Sequence, residues 1–243
     1  MARWGSEPDG DLSEAEHRHF VGHKIGDGRL VWPRISRRAP KALSWKRSPL
    51  QVVHSSIDVN FWLKSVPPVE IARPSHCPCC GAAGHPVGGA VGLVGHGLRE
   101  RQLCGVLEPE GPCLFVVLVV RRYRCRWCGV TMTVVPRGVA PRRRYSGFAI
   151  AWALWLFGVS EMRCEQVRER VAPGITFETG WTSLRRWIES VGRGRLFDGV
   201  RPWPSYWTLR QRARRICMTL LARVAGNERD PQPALWTAAQ LAA

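Results

Sequence analysis

The chain has 243 residues, 45% of them hydrophobic, and a formal net charge of +17, so it can build a packed core while carrying a strong positive field. Of its 36 basic residues 32 are arginine, whose planar fork of donors matches phosphate oxygens and guanine edges, and this points to a polyanionic partner. Glu7, Asp9, Asp11, Glu14 and Glu16 are the wrong chemistry for an export signal, so a cytoplasmic location is expected, with nine cysteines kept as thiols or metal ligands rather than disulfides.

In chain order, Arg34, Arg37, Arg38, Lys41, Lys46 and Arg47 fall among Pro33, Pro40 and Pro49 without an apolar period. Residues 1–57 are therefore expected to be a disordered basic arm. Residues 58–75 read as a linker, in which the short apolar stretch Val59–Leu63 ends at Pro67-Pro68. From Cys77 the pattern turns to strands: Leu98–Leu103, Leu114–Val120 and Val130–Val135, the last stopped by Pro136. Gly105 and Glu108–Pro112 supply the turn between the first two. Residues 76–136 thus predict a small antiparallel sheet with a cysteine pair at each end of its sequence.

Residues 137–145 form a basic linker ending in Arg142, Arg143 and Arg144, and the period then becomes helical. Phe148–Phe157 is one helix, Ser160 to about Val171 a second, a third runs from about Thr179 or Thr182 to Val191, and Tyr206–Val224 is a fourth. Pro173-Gly174 and Gly192 punctuate them. The uncharged run Ser146–Ser160 is fifteen residues, short of the roughly 20 that a bilayer-spanning helix needs, so no membrane partner is expected. The expected fold class is α+β: a β ribbon, a helix-turn-helix-like region over 146–192, and a C-terminal helical extension over 193–243.

Two tight turns carry the most specific chemistry. Cys77-Pro78-Cys79-Cys80-Gly81 and Cys125-Arg126-Trp127-Cys128-Gly129 each place two thiolates on one loop, followed by a glycine free to take positive φ. Cys77, Cys80, Cys125 and Cys128 are the expected ligands of a structural Zn2+, since four thiolates leave no open position for catalytic water. The pairs lie 44 residues apart, against a common gap of about 15–20, and the intervening hairpin accounts for the excess. Cys79, His76 and His85 stand as competing ligands; Cys104 and Cys113 read as free thiols or core residues.

Candidate DNA contacts cluster around these turns and on the third helix. Arg121, Arg122 and Arg124 lead into the second turn, and Arg142, Arg143 and Arg144 precede the helices. If the second and third helices form a helix-turn-helix pair, Thr182 and Ser183 suit backbone contacts, and Arg185 and Arg186 suit guanine edges or phosphate. The bland alternative is a small helical bundle with a solvated arginine face. The connection Ala172–Glu178 is longer than the usual three or four residues of that motif.

Taken together, Cys77-Pro-Cys-Cys80-Gly, Gly95-His96-Gly97-Leu98-Arg99, Arg122-Tyr123-Arg124-Cys125-Arg-Trp-Cys128-Gly129 and Pro136 through Arg144-Tyr145-Ser146 resemble the zinc-ribbon proteins of bacterial insertion sequences. The resemblance covers about residues 70–192. It implies a bacterial, nucleoid-associated DNA-binding protein acting on mobile-element ends, as a transposase accessory or an amino-terminal transposase part, with a transposase or a second copy as partner. Strand transfer needs three carboxylates on an alternating sheet, and beyond the ribbon the aspartates are Asp198 and Asp230 alone, so no enzymatic activity is expected. The rival reading is a zinc-stabilised module that binds an acidic protein or RNA.

Overall fold

The β-branched segments between Gln51 and Arg137 assemble into one four-stranded sheet in the computed structural model, which describes residues 51–173, 181–224 and 230–241. In chain order the elements are β1 (Gln51–Asp58), α1 (Val59–Lys64), β2 (Leu93–Val106), β3 (Cys113–Cys125) and β4 (Thr131–Arg137). The spatial order is β1-β4-β3-β2. β2 and β3 form a long antiparallel hairpin running from Leu93 opposite Cys125 to Val106 opposite Cys113, with a bulge between Gly95 and Leu98. This register matters for the site, because it sets the start of β2 beside the end of β3 and so brings the two cysteine turns together.

Several boundaries differ from the sequence expectation. The expected arm 1–57 is corrected at its end: Gln51–Asp58 is an edge strand paired parallel to β4, with Gln51 opposite Met132 and His54 opposite Val135. The sheet is therefore mixed rather than purely antiparallel. Residues 1–50 of that arm lie outside the described residues. The expected linker 58–75 contains α1, capped by the Asp58 carboxylate, which accepts the Asn60 N–H at 2.8 Å. Val59 and Trp62 are buried in the sheet core, and the Trp62 indole N–H donates to Val119 O at 2.8 Å. Strand β1 carries no alternating pattern because both of its faces are half-covered, and one large aromatic side chain secures α1.

The basic linker 137–145 is also packed rather than free. Val139, Ala140 and Tyr145 are buried, and Cys104 and Tyr145 form a parallel bridge that extends the β2 edge. Arg101 reaches from β2 to donate to Ala140 O at 3.1 Å and to Arg143 O. Burial, with Arg99 nearby, lowers the Arg101 guanidinium to about 10, which leaves it charged at neutral pH.

The remaining elements are helices: α2 (Gly147–Gly158), α3 (Cys164–Val171), α4 (Ser183–Gly192), α5 (Leu209–Leu221) and α6 (Pro231–Leu241). α2 is apolar on every side and has no polar face to show, so it becomes the central helix that α3, α4, α5 and α6 pack around. Ser146 caps it by accepting the Ala149 N–H at 2.9 Å. Its last residue must be glycine for α5 to cross closely: a Cβ on Gly158 would lie 2.5 Å from Arg214 N. The expected extension 193–243 is thus corrected to part of the main helical core, which includes Ile216, Leu220 and Leu235. α6 ties back to the sheet through the Trp236 indole N–H, which donates to Leu107 O at 2.9 Å.

Candidate metal centre and basic surface

Each cysteine turn is built the same way. Gly81 N–H donates to Cys77 O at 2.9 Å, and Gly129 N–H to Cys125 O at 3.0 Å. Cys77 N–H then donates to Ala82 O at 2.8 Å and Cys125 N–H to Val130 O at 3.0 Å, closing each loop on its own first cysteine. Gly81 at φ 72° and Gly129 at φ 73° take the left-handed conformation that a side chain would strain. The turns are joined by Arg126 N–H to Gly92 O at 2.9 Å and by Leu93 N–H to Gly84 O at 3.0 Å.

The four sulfurs converge. Cys77 Sγ lies 3.7 Å from Cys128 Sγ, Cys80 Sγ lies 3.7 Å from Cys125 Sγ, and all four lie within 4.8 Å of one another. A tetrahedral ion with metal–sulfur bonds of about 2.3 Å has sulfur–sulfur edges of about 3.8 Å, so the spacing suits a four-thiolate metal site. No pair is bridged as a disulfide. Among the described residues, Cys79, His76 and His85 lie outside this cluster, and Cys79 is exposed. Cys77 and Cys125 are buried against the sheet core, whereas Cys80 and Cys128 face outward.

The local field favours thiolate at one position first. Burial works against ionisation of Cys125, but backbone N–H groups of Cys128 and Trp127 and the neighbouring Cys128 and Cys80 thiols outweigh it and bring Cys125 down to about 7. At Cys128 the Val130 N–H favours thiolate, yet desolvation and the other three thiols push it up to about 12. The set therefore holds protons that a bound cation displaces. Cys104 and Cys113 are different: burial raises both thiols to about 11, and Cys113 donates to Val171 O at 3.3 Å.

The predicted DNA contacts divide into two groups. Arg124, Arg142 and Arg144 are exposed, as are Thr182, Arg185 and Arg186 on the outer face of α4, while Arg122 and Ser183 are half-buried. Arg185 is committed to Glu189 one turn on, at 2.9 Å. Arg121 and Arg143 are half-buried and engaged within the protein. Arg121 Nε donates to Pro67 O, and Arg143 donates to Ser190 Oγ, with burial and Arg195 lowering its guanidinium from the ordinary range. Their first use is to hold segments together. The helices α3 and α4 both pack on α2, and α4 also meets α5; the connection 174–180 lies outside the described residues.

Sequence reasoning passed over two sets of residues. Arg126 and Trp127, inside the second turn, are exposed; Arg214 and Arg215 form an outward pair on α5. A signal existed for both, namely the charge count around the turn and the helical wheel of α5. No family model, curated protein or solved structure matches the chain.

Proposed function

We propose that this protein binds DNA through its arginine-rich surface, with a structural Zn2+ at Cys77, Cys80, Cys125 and Cys128 organising the sheet. The observation that carries the reading is the four-sulfur cluster, in a chain whose residues 71–99 and 111–160 contain neither Asp nor Glu. Four thiolates complete a tetrahedron, so the metal's contribution is folding free energy rather than Lewis acidity. Soft tetrahedral sulfur sites take zinc or iron, and zinc, which needs no redox partner, is the reading adopted. The arginines that remain exposed, Arg124, Arg126, Arg142, Arg144 and Arg186, supply the phosphate contacts.

The mobile-element role, with element ends as target and a transposase or second copy as partner, rests on the resemblance carried by the cysteine turns and the Arg144-Tyr145-Ser146 junction. Binding rather than catalysis is proposed because Asp198 and Asp230 are the aspartates beyond the ribbon, too few for a three-carboxylate metal site. The Asp230 carboxylate is moreover engaged locally, accepting the Gln232 N–H at 2.9 Å. Metal analysis of the purified chain should find one zinc, and binding to labelled duplex DNA should weaken steeply as salt rises. Iron with visible absorbance would replace the metal assignment, and salt-independent binding or none would remove the DNA reading. RNA or an acidic protein bound in preference to duplex DNA would establish the rival interaction module.

A further inference from the structure

The cysteine end of the sheet exposes a large aromatic ring that the core does not use. Trp127 sits at the tip of the second turn, between Cys125 and Cys128, and is 74% exposed. Leaving an indole in water forgoes the stabilisation that burial of so large an apolar surface would bring, and leaves its faces open to a ligand. The ring does not hang on a free loop. Its turn is closed by Gly129 N–H to Cys125 O at 3.0 Å and tied to the neighbouring strand by Arg126 N–H to Gly92 O at 2.9 Å. A Cβ at Gly92 would come 3.3 Å from Trp127 Nε1, so the nitrogen edge rests along glycine backbone while most of the ring stays open to solvent.

The exposed charged residues adjoining the ring in the chain are of one sign. Arg124 and Arg126 are exposed in the same short stretch, and among the described residues neither is paired with a carboxylate. A flat, open aromatic surface on an anchored turn, with unpaired guanidinium groups beside it in the chain, matches one ligand chemistry well: a nucleobase to stack on the ring and phosphates to meet the arginines. A base inside a duplex already has both faces covered by its neighbours, so the base must be unpaired.

We propose that Trp127 is a stacking platform for an unpaired nucleobase of a single-stranded nucleic acid, with Arg124 and Arg126 binding the flanking phosphates. This rests on the nucleic-acid reading above and adds a second mode to it, in which the ring takes unpaired strand while the exposed arginines, Arg124 and Arg126 among them, meet phosphates of either form. Stacking is tolerant of base identity, so the platform contributes affinity for strand openings or ends rather than sequence choice.

The test uses the full zinc-loaded chain and fluorescence anisotropy with labelled oligo(dT) and with the oligo(dT)–oligo(dA) duplex. Trp127→Ala should weaken oligo(dT) binding about ten-fold and leave duplex binding unchanged. Trp127→Phe should keep most of the single-strand affinity. Arg124→Ala with Arg126→Ala should lower the single-strand affinity and flatten its salt dependence. Equal oligo(dT) affinity for Trp127→Ala and the parent, with duplex binding intact, overturns the stacking site and leaves the DNA reading standing. Equal loss of both affinities assigns Trp127 a general or structural role and also overturns it. No binding of the parent to either probe removes both. Unchanged zinc content and circular dichroism in each variant confirm that the folded protein is what was measured.

Discussion

At the scale of single residues the cysteines are unequal. Cys125 is buried and favoured as thiolate, whereas Cys79 lies beside Cys80 in the chain yet outside the cluster. Cys125→Ser should abolish stoichiometric zinc and lower the melting temperature, because a structural site contributes its binding energy to folding. Cys79→Ser should retain full zinc in the same metal analysis; loss of zinc there would move Cys79 into the ligand set. His54 supplies a pH effect. Burial lowers its pKa from 6.5, opposed by the hydrogen bond to Val139 O at 3.0 Å, with Arg101 adding to the lowering. The unfolded chain therefore takes up the proton more readily, so the contribution of neutral His54 is complete above about pH 6.5 and lost as pH falls through the folded pKa. Urea melts should show stability declining as pH is lowered below that point, and His54→Gln should flatten the decline. An identical slope in the variant would mean that His54 titrates alike in both states.

At the scale of elements, α1 is held by a single large side chain. Trp62→Ala should cost about 3–5 kcal/mol in urea denaturation, from the cavity and the lost indole bond to Val119 O. Trp62→Phe should cost less, since it keeps most of the apolar volume and forgoes mainly the hydrogen bond. Equal costs for the two would show that the polar contact dominates. The elements that were legible in the sequence are those whose period is unmixed: β3 with its β-branched run, α2 with its continuous apolar face, and α4 with apolar residues every third or fourth position. β1 and α1 were missed because QVVHSSID mixes polar and apolar residues without alternation and VNFWLK is too short to show a helical period. Both are specified by contacts with strands distant in sequence.

At the scale of the whole molecule, the described residues form two apolar cores, one under the sheet with α1 and one around α2. They are sewn together by a few long-range bonds, among them Trp236 to Leu107 O and Ser146 Oγ–H to Val106 O at 2.5 Å. Only the sheet core includes Cys77 and Cys125. Chelation of the proposed Zn2+ should therefore raise amide hydrogen exchange across β2, β3 and the two cysteine turns while α2 and α5 keep their protection. Uniform loss across both cores would show that they fold as one unit.

Composition and spacing were enough to determine the net positive field, the α+β class and the four candidate ligands, because each is a local property of residue type and interval. They did not determine that the ligands would meet, since 44 residues separate the pairs and only the β2–β3 register returns one to the other. Nor did they separate the arginines that face solvent from those spent inside. Arg121 and Arg143 look like Arg124 and Arg144 in the sequence, but a backbone carbonyl engages Arg121 and a serine hydroxyl Arg143. The exposure of Trp127 was decided in the same way. A Cys-x-x-Cys turn leaves its middle residues no interior to enter, and which way they face follows from the strands that anchor it.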